Sequence, residues 1–406
     1  MRKAARMGML ALGLCLSSAA AAQLGLPGVN PVLNDVRTTL DGVTRPVLAT
    51  ARDAATLATE RVGRLDQYVR THRNRVDFDE ARQPARAREL LLLDPDPAAL
   101  ARAQAGGFGL IEQSALDGLD LRYARLSTPA GSSLAAATRA LRRLLPGKEI
   151  SADQIHFPGG AVAPARVAHP ASPPVRPSGG TVGVIDGGVN PGARVALQAG
   201  FASGAPRRSD HAQAIVSLLG GAGTARIVVA DVYGADPAGG NALAIARALG
   251  WMTDNRVPVV SISLVGPANP LLARAIAAAQ TRGMIVVAAV GNDGAAAPPA
   301  FPASYPGVVA VTGVDGHGRV LFEAGRASHV DYAAPGADLT AIGANGRTQI
   351  LRGTSFAAPL AAARIAALAR PGDAIAARLG RADAEAAKGR ARTGRGVLCG
   401  SCRTGI

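Results

Sequence analysis

The sequence predicts an α/β fold: a mostly parallel, doubly wound sheet preceded by a small α+β domain and N-terminal helices. Three observations predict it. Aromatics are only 3% of the 406 residues, and alanine and glycine are abundant. Such a core is built from small and branched aliphatic side chains, as in a helix-covered parallel sheet. Apolar runs such as Val182 to Ile185 and Ile285 to Val290 alternate with helix-like stretches. Residues 88–157 read in the order β-α-β-β-α-β.

At the N-terminus, Arg2, Lys3 and Arg6 precede the apolar run Met7 to Leu16, and Ala20-Ala21-Ala22 follows. Residues 1–22 therefore read as a secretory signal peptide cleaved after Ala22. The run is too short to be a spanning anchor. No second apolar stretch follows, so an exported protein with no stable membrane span is expected, periplasmic or secreted. Leu14 before Cys15 argues against a lipoprotein anchor.

Residues 23–85 carry an apolar stripe from Val36, Leu40 and Val43 through Ala58, Val62, Leu65 and Val69, spaced by three and four. That is a helical region. It could be a hairpin or a self-association helix, and a helix covering a neighbouring core is the plainer reading. The α+β unit over 86–157 starts with a strand at Arg88–Leu93 and a helix from Pro97. Strands near Phe108–Gln113 and Leu119–Leu126 follow, then a helix at Leu134–Leu145 and a strand at Glu149–Phe157. His156 reads as an exposed strand residue. The stretch 158–180 holds six prolines, four glycines and no carboxylate, so an extended linker is expected, with His169 exposed.

The large domain is expected over 181–370. Its first strand ends in Asp186 on a glycine turn, and the helix Ser209–Leu219 has His211 in its first turn. The strand from Met284 ends in Asn292. Ser355 should stand at the N-terminus of the apolar helix Phe356–Ala369. Gly353 leaves room for another chain to approach, and Pro359 falls where a first-turn proline is tolerated. Thr354 and Ser355 could be ordinary helix caps. A carboxylate, an imidazole, an amide and a hydroxyl, all at element ends, suggest nucleophilic catalysis instead. Ser355 attacks, His211 takes its proton, Asp186 orients the imidazole, and Asn292 donates to the oxyanion.

The order Asp, His, Asn, Ser and the local words Val184-Ile-Asp-Gly-Gly-Val189, Ala288-Ala-Val-Gly-Asn-Asp-Gly294 and Gly353-Thr-Ser-Phe-Ala-Ala-Pro359 resemble the subtilisin-like serine proteases. The resemblance covers roughly Gly180 to Ala369. It implies a secreted endopeptidase acting on protein or peptide substrates through an acyl-enzyme, with no cofactor. It implies that Ser263, Leu264, Val265 and Gly266 form the edge that pairs with substrate backbone, facing Ala289 and Gly291. Val265 stands where glycine is common, which narrows the subsites. The α+β unit resembles the inhibitory prodomain of that family, a partner in cis. Where His-Gly-Thr is usual, this chain has His211-Ala212-Gln213. That departure motivates the alternative, a weakened or dead homologue acting as a binding module in the cell envelope. The loop Gly220–Arg226 lacks the carboxylates of a calcium site, so no metal is expected.

Net charge is +15, yet no basic-aromatic motif points to nucleic acid. Gly183-Val-Ile-Asp-Gly-Gly188 matches neither phosphate-binding glycine pattern, which sets nucleotide binding aside. Cys399 and Cys402 are too few for a zinc site. In an oxidising compartment they read as a small disulfide loop. Residues 371–406, rich in Lys and Arg, read as a solvated helix and tail.

Overall fold

The computed structural model describes residues 56–159, 161–164, 179–370 and 372–405. The signal-peptide reading, the apolar stripe up to residue 55 and His169 lie outside these residues.

A helix over 56–71 (α1) leads into the small unit. This unit comprises β1 (Val76–Phe78), β2 (Pro84–Leu93), α2 (Pro97–Ala105), β3 (Gly109–Leu116), β4 (Leu121–Ser127), α3 (Leu134–Leu144) and β5 (Ile150–Gln154). Its strands lie antiparallel in the order β5-β2-β4-β3, with β1 added against the start of β2. The helix starts follow from local chemistry. Asp96 accepts from the Ala99 N–H ahead of Pro97, and Ser133 accepts from the Ala136 N–H. The leucine run of β2 does not alternate with polar residues because both its faces are covered. Leu90 and Leu92 pack with Phe108 and Leu141 in the unit's own core. Leu91 and Leu93, with Tyr123, enter the core of the large domain.

The large domain contains β8 (Thr181–Asp186), β9 (Leu197–Gly200), α4 (Asp210–Gly221), β10 (Arg226–Asp231) and α5 (Ala242–Asp254). There follow β11 (Val259–Ile262), β12 (Leu264–Val265), α6 (Pro270–Thr281), β13 (Ile285–Ala289), β14 (Val309–Val314) and β15 (Tyr332–Pro335). The hairpin β16 (Leu339–Ile342) and β17 (Thr348–Arg352) precedes α7 (Thr354–Ala367) and α8 (Ile375–Glu385). Seven strands pair in parallel in the order β15-β14-β13-β11-β8-β10-β9. Phe356, Leu360 and Ile215 of α7 and α4 fill one face, and Ile245, Leu249 and Leu272 of α5 and α6 fill the other. Candidate residues gather at the carboxyl ends of the central strands, where an open α/β sheet leaves its crevice.

Three expectations are corrected. The start of the proline-rich stretch is packed, not a free linker. Phe157–Pro158 (β6) pairs antiparallel with β12, and Ala161–Pro164 (β7) pairs antiparallel with β17. His156 is not exposed but wholly buried, because the chain enters the cleft at this point.

The last stretch of the tail is not solvated either, whereas α8 and residues 387–392 are largely exposed as expected. β15 is a sheet edge with unpaired backbone groups. Val397 lies beside Ala333 there, and the Leu398 N–H donates to the Ala333 carbonyl. Leu398 is 1% exposed. The sulfur atoms of Cys399 and Cys402 stand 1.97 Å apart, at covalent distance. The basic side chains that suggested solvation are partly engaged: Arg395 pairs with Asp331 and Asp383 and lies over the Tyr332 ring of β15.

Candidate active site

Gly353 opens the surroundings of Ser355. Its φ of 141° lies where a β-carbon is strained, and its N–H donates to the Gly336 carbonyl. α7 then begins at once, so Thr354 and Ser355 occupy its first two positions. Pro359 is therefore inside the helix, beyond the first turn where the sequence had suggested it. A helical N–H at 359 would donate to the Ser355 carbonyl, and proline has none. The Ser263 hydroxyl supplies the missing bond, donating to that carbonyl at 2.7 Å. The edge strand and the serine-bearing turn are thereby joined.

The Thr354 N–H donates to Asn292 Oδ1 at 2.9 Å. The Thr354 hydroxyl donates to the Gly291 carbonyl. These bonds fix the amide, and its Nδ2 is buried with no hydrogen-bond partner. A buried donor without an acceptor is costly, which suits a group kept for a charge that appears only during reaction.

Asp186 ends β8 and is fully buried. Its Oδ1 accepts from the Gly187 N–H at 2.8 Å. His211 enters the first turn of α4, which Ser209 caps. Its Nδ1 is 2.9 Å from Asp186 Oδ2 and 3.1 Å from Oδ1. Burial alone would lower the imidazole pKa, but the Asp186 charge and hydrogen bond outweigh it and raise the value. The Nε2 of His211 faces the Gly159 carbonyl at 2.8 Å. Both ring nitrogens face oxygen acceptors, so in this arrangement Nε2 is engaged by Gly159 and does not meet the Ser355 hydroxyl. Ser355 Oγ donates elsewhere, to the Ser263 carbonyl at 3.1 Å.

Gly159 reaches this point because β6 lies along β12, with Pro158 opposite Leu264 and Phe157 opposite Val265. A β-carbon on Gly159 would stand 2.7 Å from Asn292 Nδ2 and 3.0 Å from Ser355 Oγ. His156 is seated by its own N–H to Gly240 and by the Tyr233 hydroxyl on its carbonyl at 2.6 Å. Its ring lies over Gly266, where a β-carbon would come within 2.6 Å of it. Burial pushes the His156 pKa down to about 4.

Val265 and Gly266 line the cleft, and Val265 crowds Gly291, whose β-carbon would meet it at 3.3 Å. Leu264 contributes backbone, since its side chain faces a core. Ala289 is corrected as a wall residue. It packs in the other core, and Val290 and Gly291 border the cavity instead. Ala212 is buried in that core. Gln213 accepts from the Asn190 N–H through its side-chain oxygen. Sequence reading missed Tyr233 and Asp293, whereas it expects the bond first cut around His156 to Gly160, a span that includes Gly159. Tyr233 carries no local signal, whereas Asp293 adjoins Asn292 and could have been found. Among the described residues, no group of three or more His, Cys, Asp or Glu is arranged to hold a metal.

The sequence profile of the subtilase family matches residues 192–374. Subtilisin BL of Lederbergia lenta is 30% identical over 198 residues, which is 45% of this chain and 73% of that protein. The alkaline protease of Shouchella clausii is 30% identical over 198 residues, covering 45% of this chain and 52% of its own length. Among solved structures, fervidolysin of Fervidobacterium pennivorans, described as a keratinolytic enzyme related to subtilisin, superimposes with a TM-score of 0.61 at 16% identity. That match covers 77% of this chain and 60% of fervidolysin. The epidermin leader peptide processing serine protease of Staphylococcus aureus gives 0.57 at 14% identity, over 78% and 97% of the two chains.

Proposed function

This chain belongs to the subtilase family, and from that premise we propose that it is an exported serine endopeptidase held in an uncut, self-blocked state. In this reading Ser355 Oγ attacks the scissile carbonyl and its proton passes to His211 Nε2. Asp186 holds the imidazole in place. The oxyanion lies between Asn292 Nδ2 and the Ser355 N–H. The amine then leaves with the proton from His211, and water hydrolyses the ester by the same exchange.

The observation that carries the proposal is the His211–Asp186 pair standing against the chain's own Gly159, beside a buried amide donor with nothing to bind. Residues 86–157 act in cis as the prodomain, and the first bond cut is Gly159–Gly160. For that cut the Gly159 carbonyl turns from His211 to Asn292. This frees Nε2 to accept the Ser355 proton as the base. Neither replacement hydrogen-bonds the imidazole, since Ala212 packs in a core and Gln213 accepts from Asn190.

A fluorophosphonate probe tests the assignment, since only an activated serine reacts with it. Labelling of the processed protein that disappears in Ser355→Ala is expected. An unlabelled protein would favour the binding-module alternative.

A further inference from the structure

Helix α1 grips the large domain through a face that is not its apolar stripe. Leu57, Arg61, Arg64 and Tyr68 recur at spacings of four, three and four, so they share one side of the helix. Arg61 Nε stands 3.1 Å from Asp293 Oδ2, and Arg64 Nη2 pairs with Oδ1. Leu57 lies against Gly294, where a β-carbon would come within 2.9 Å of it. The Tyr68 hydroxyl donates to the Pro237 carbonyl. Its ring meets Phe157 edge to face, with centroids 5.0 Å apart. Val62, of the apolar stripe, is left 55% exposed.

These partners stand on opposite sides of the cleft. Asp293 and Gly294 follow β13, Pro237 follows β10, and strands β11 and β8 lie between those two. Three strand spacings amount to about 14 Å. Leu57 and Tyr68 are eleven residues apart, a length that a helix covers in roughly 16 Å. Helix α1 therefore runs across the strand ends, over the segment that leads to Gly159. A cavity of about 570 Å³ is bounded by Arg61, Arg64 and Tyr68 of α1 and by Phe157, Gly159 and Asn292. The helix bridges a hollow there instead of filling it, and its grip at the Asp293 end is chiefly ionic.

The small unit is held by other means. Leu91, Leu93 and Tyr123 carry it into the core of the large domain. Helix α1 closes over β6 itself, the strand that lies along β12. An extended substrate pairing with β12 would need that same space, so α1 and β6 must both leave first. Ion pairs between partly exposed groups contribute little and weaken in salt. The α1 contact is thus the looser of the two holds.

We propose that α1 is a second inhibitory element, a strap docked on the rim between Asp293 and Pro237. It keeps residues 155–159 in the cleft independently of the small unit's apolar face. Its consequence rests on the endopeptidase reading: after the cut, the strap has to open before substrate enters.

The test uses the full chain carrying Ser355→Ala, with hydrogen exchange read at Ile155–Gly159 and at Leu90–Leu93. Adding Arg61→Ala and Arg64→Ala should speed exchange at 155–159 about fivefold and leave Leu90–Leu93 unchanged. Raising sodium chloride from about 0.01 M to about 1 M should speed exchange at 155–159 less in that variant than in the parent. Exchanging the charges, Asp293→Arg with Arg61→Glu and Arg64→Glu, should restore slow exchange. Unchanged exchange at 155–159, or an equal rise at Leu90–Leu93, overturns the proposal. In the protein with Ser355 intact, the alanine pair should shorten the lag between the first cut and hydrolysis of an added peptide. Faster exchange with an unchanged lag overturns the inhibitory role. If nothing is cut, the endopeptidase reading fails instead, and the exchange measurement still decides whether the strap exists.

Discussion

His211 Nε2 and the Gly159 carbonyl oxygen stand 2.8 Å apart, so the imidazole is occupied by the chain's own backbone and the serine by another. This contact predicts a break at Gly159–Gly160. The wild-type protein should lose the corresponding mass, whereas Ser355→Ala should retain residues 23–159. Intact-mass measurement of both exported forms checks this. An identical N-terminus in the two would show that Ser355 does not make the cut.

Gly159→Val should slow that break about tenfold or more, because misplacing a reacting carbonyl by an ångström is costly. The new β-carbon would lie 2.7 Å from Asn292 Nδ2 and 3.0 Å from Ser355 Oγ. A time course of processing in pulse-labelled cells reads the effect. Processing at the wild-type rate would mean that Gly159 does not sit here during the reaction.

Among the polar groups, Asn292→Ala should lower kcat about 10²–10³-fold, the usual loss for one oxyanion donor. Asp186→Asn should cost more, about 10⁴-fold, since an amide can hold the wrong tautomer of His211. Steady-state kinetics on one peptide would compare them. Equal small losses would speak against both roles.

Acid should act on the cleft in two opposed ways. His156 has a buried pKa of about 4. Below its ordinary value the released state takes up a proton that the docked state refuses, so docking weakens as pH falls. From pH 7 to 5 that amounts to about twentyfold, or about 2 kcal/mol. Asp153 is buried with its pKa raised to about 6. Its charge costs docking energy above that pH and is neutralised below it, a gain of about tenfold at pH 5. Near-constant stability of uncut Ser355→Ala is expected between pH 5 and 7. With His156→Phe added, docking should tighten at pH 5. Hydrogen exchange of residues 86–157 measures this, and the reverse trend would refute the balance.

Removing residues 396–406 should destabilise the protein by about 3 kcal/mol, from one buried leucine and the edge hydrogen bonds. Leu398 and its N–H to Ala333 are the parts lost. Thermal melting of the truncated Ser355→Ala protein would show it, and an unchanged midpoint would mean that the tail contributes no stability.

Legibility in the sequence divides along physical lines. The parallel sheet, the βαββαβ order and the positions of Asp186, His211, Asn292 and Ser355 were legible because each depends on local words and periodicity. Pro359 was misplaced since only the true start of α7 decides whether it lies in the first turn. The helper, Ser263, is 92 residues away from Ser355. His156 looked exposed because its burial comes from Gly240, Gly266 and Tyr233, none of them neighbours in sequence. The last stretch of the tail misled through its charge, part of which pairs with Asp331 and Asp383.

If the chain is cut at Gly159–Gly160 as proposed, the leucine run of β2 would govern the interval that follows. Leu91 and Leu93 belong to the large domain's core as fully as its own helices do. Breaking one peptide bond would therefore separate nothing. The severed segment stays adherent through an apolar face, and the enzyme beneath it would be left with a bare, water-averse patch over α5 and α6. Digestion of the detached segment, rather than its spontaneous departure, would set the delay between first cleavage and a working protease.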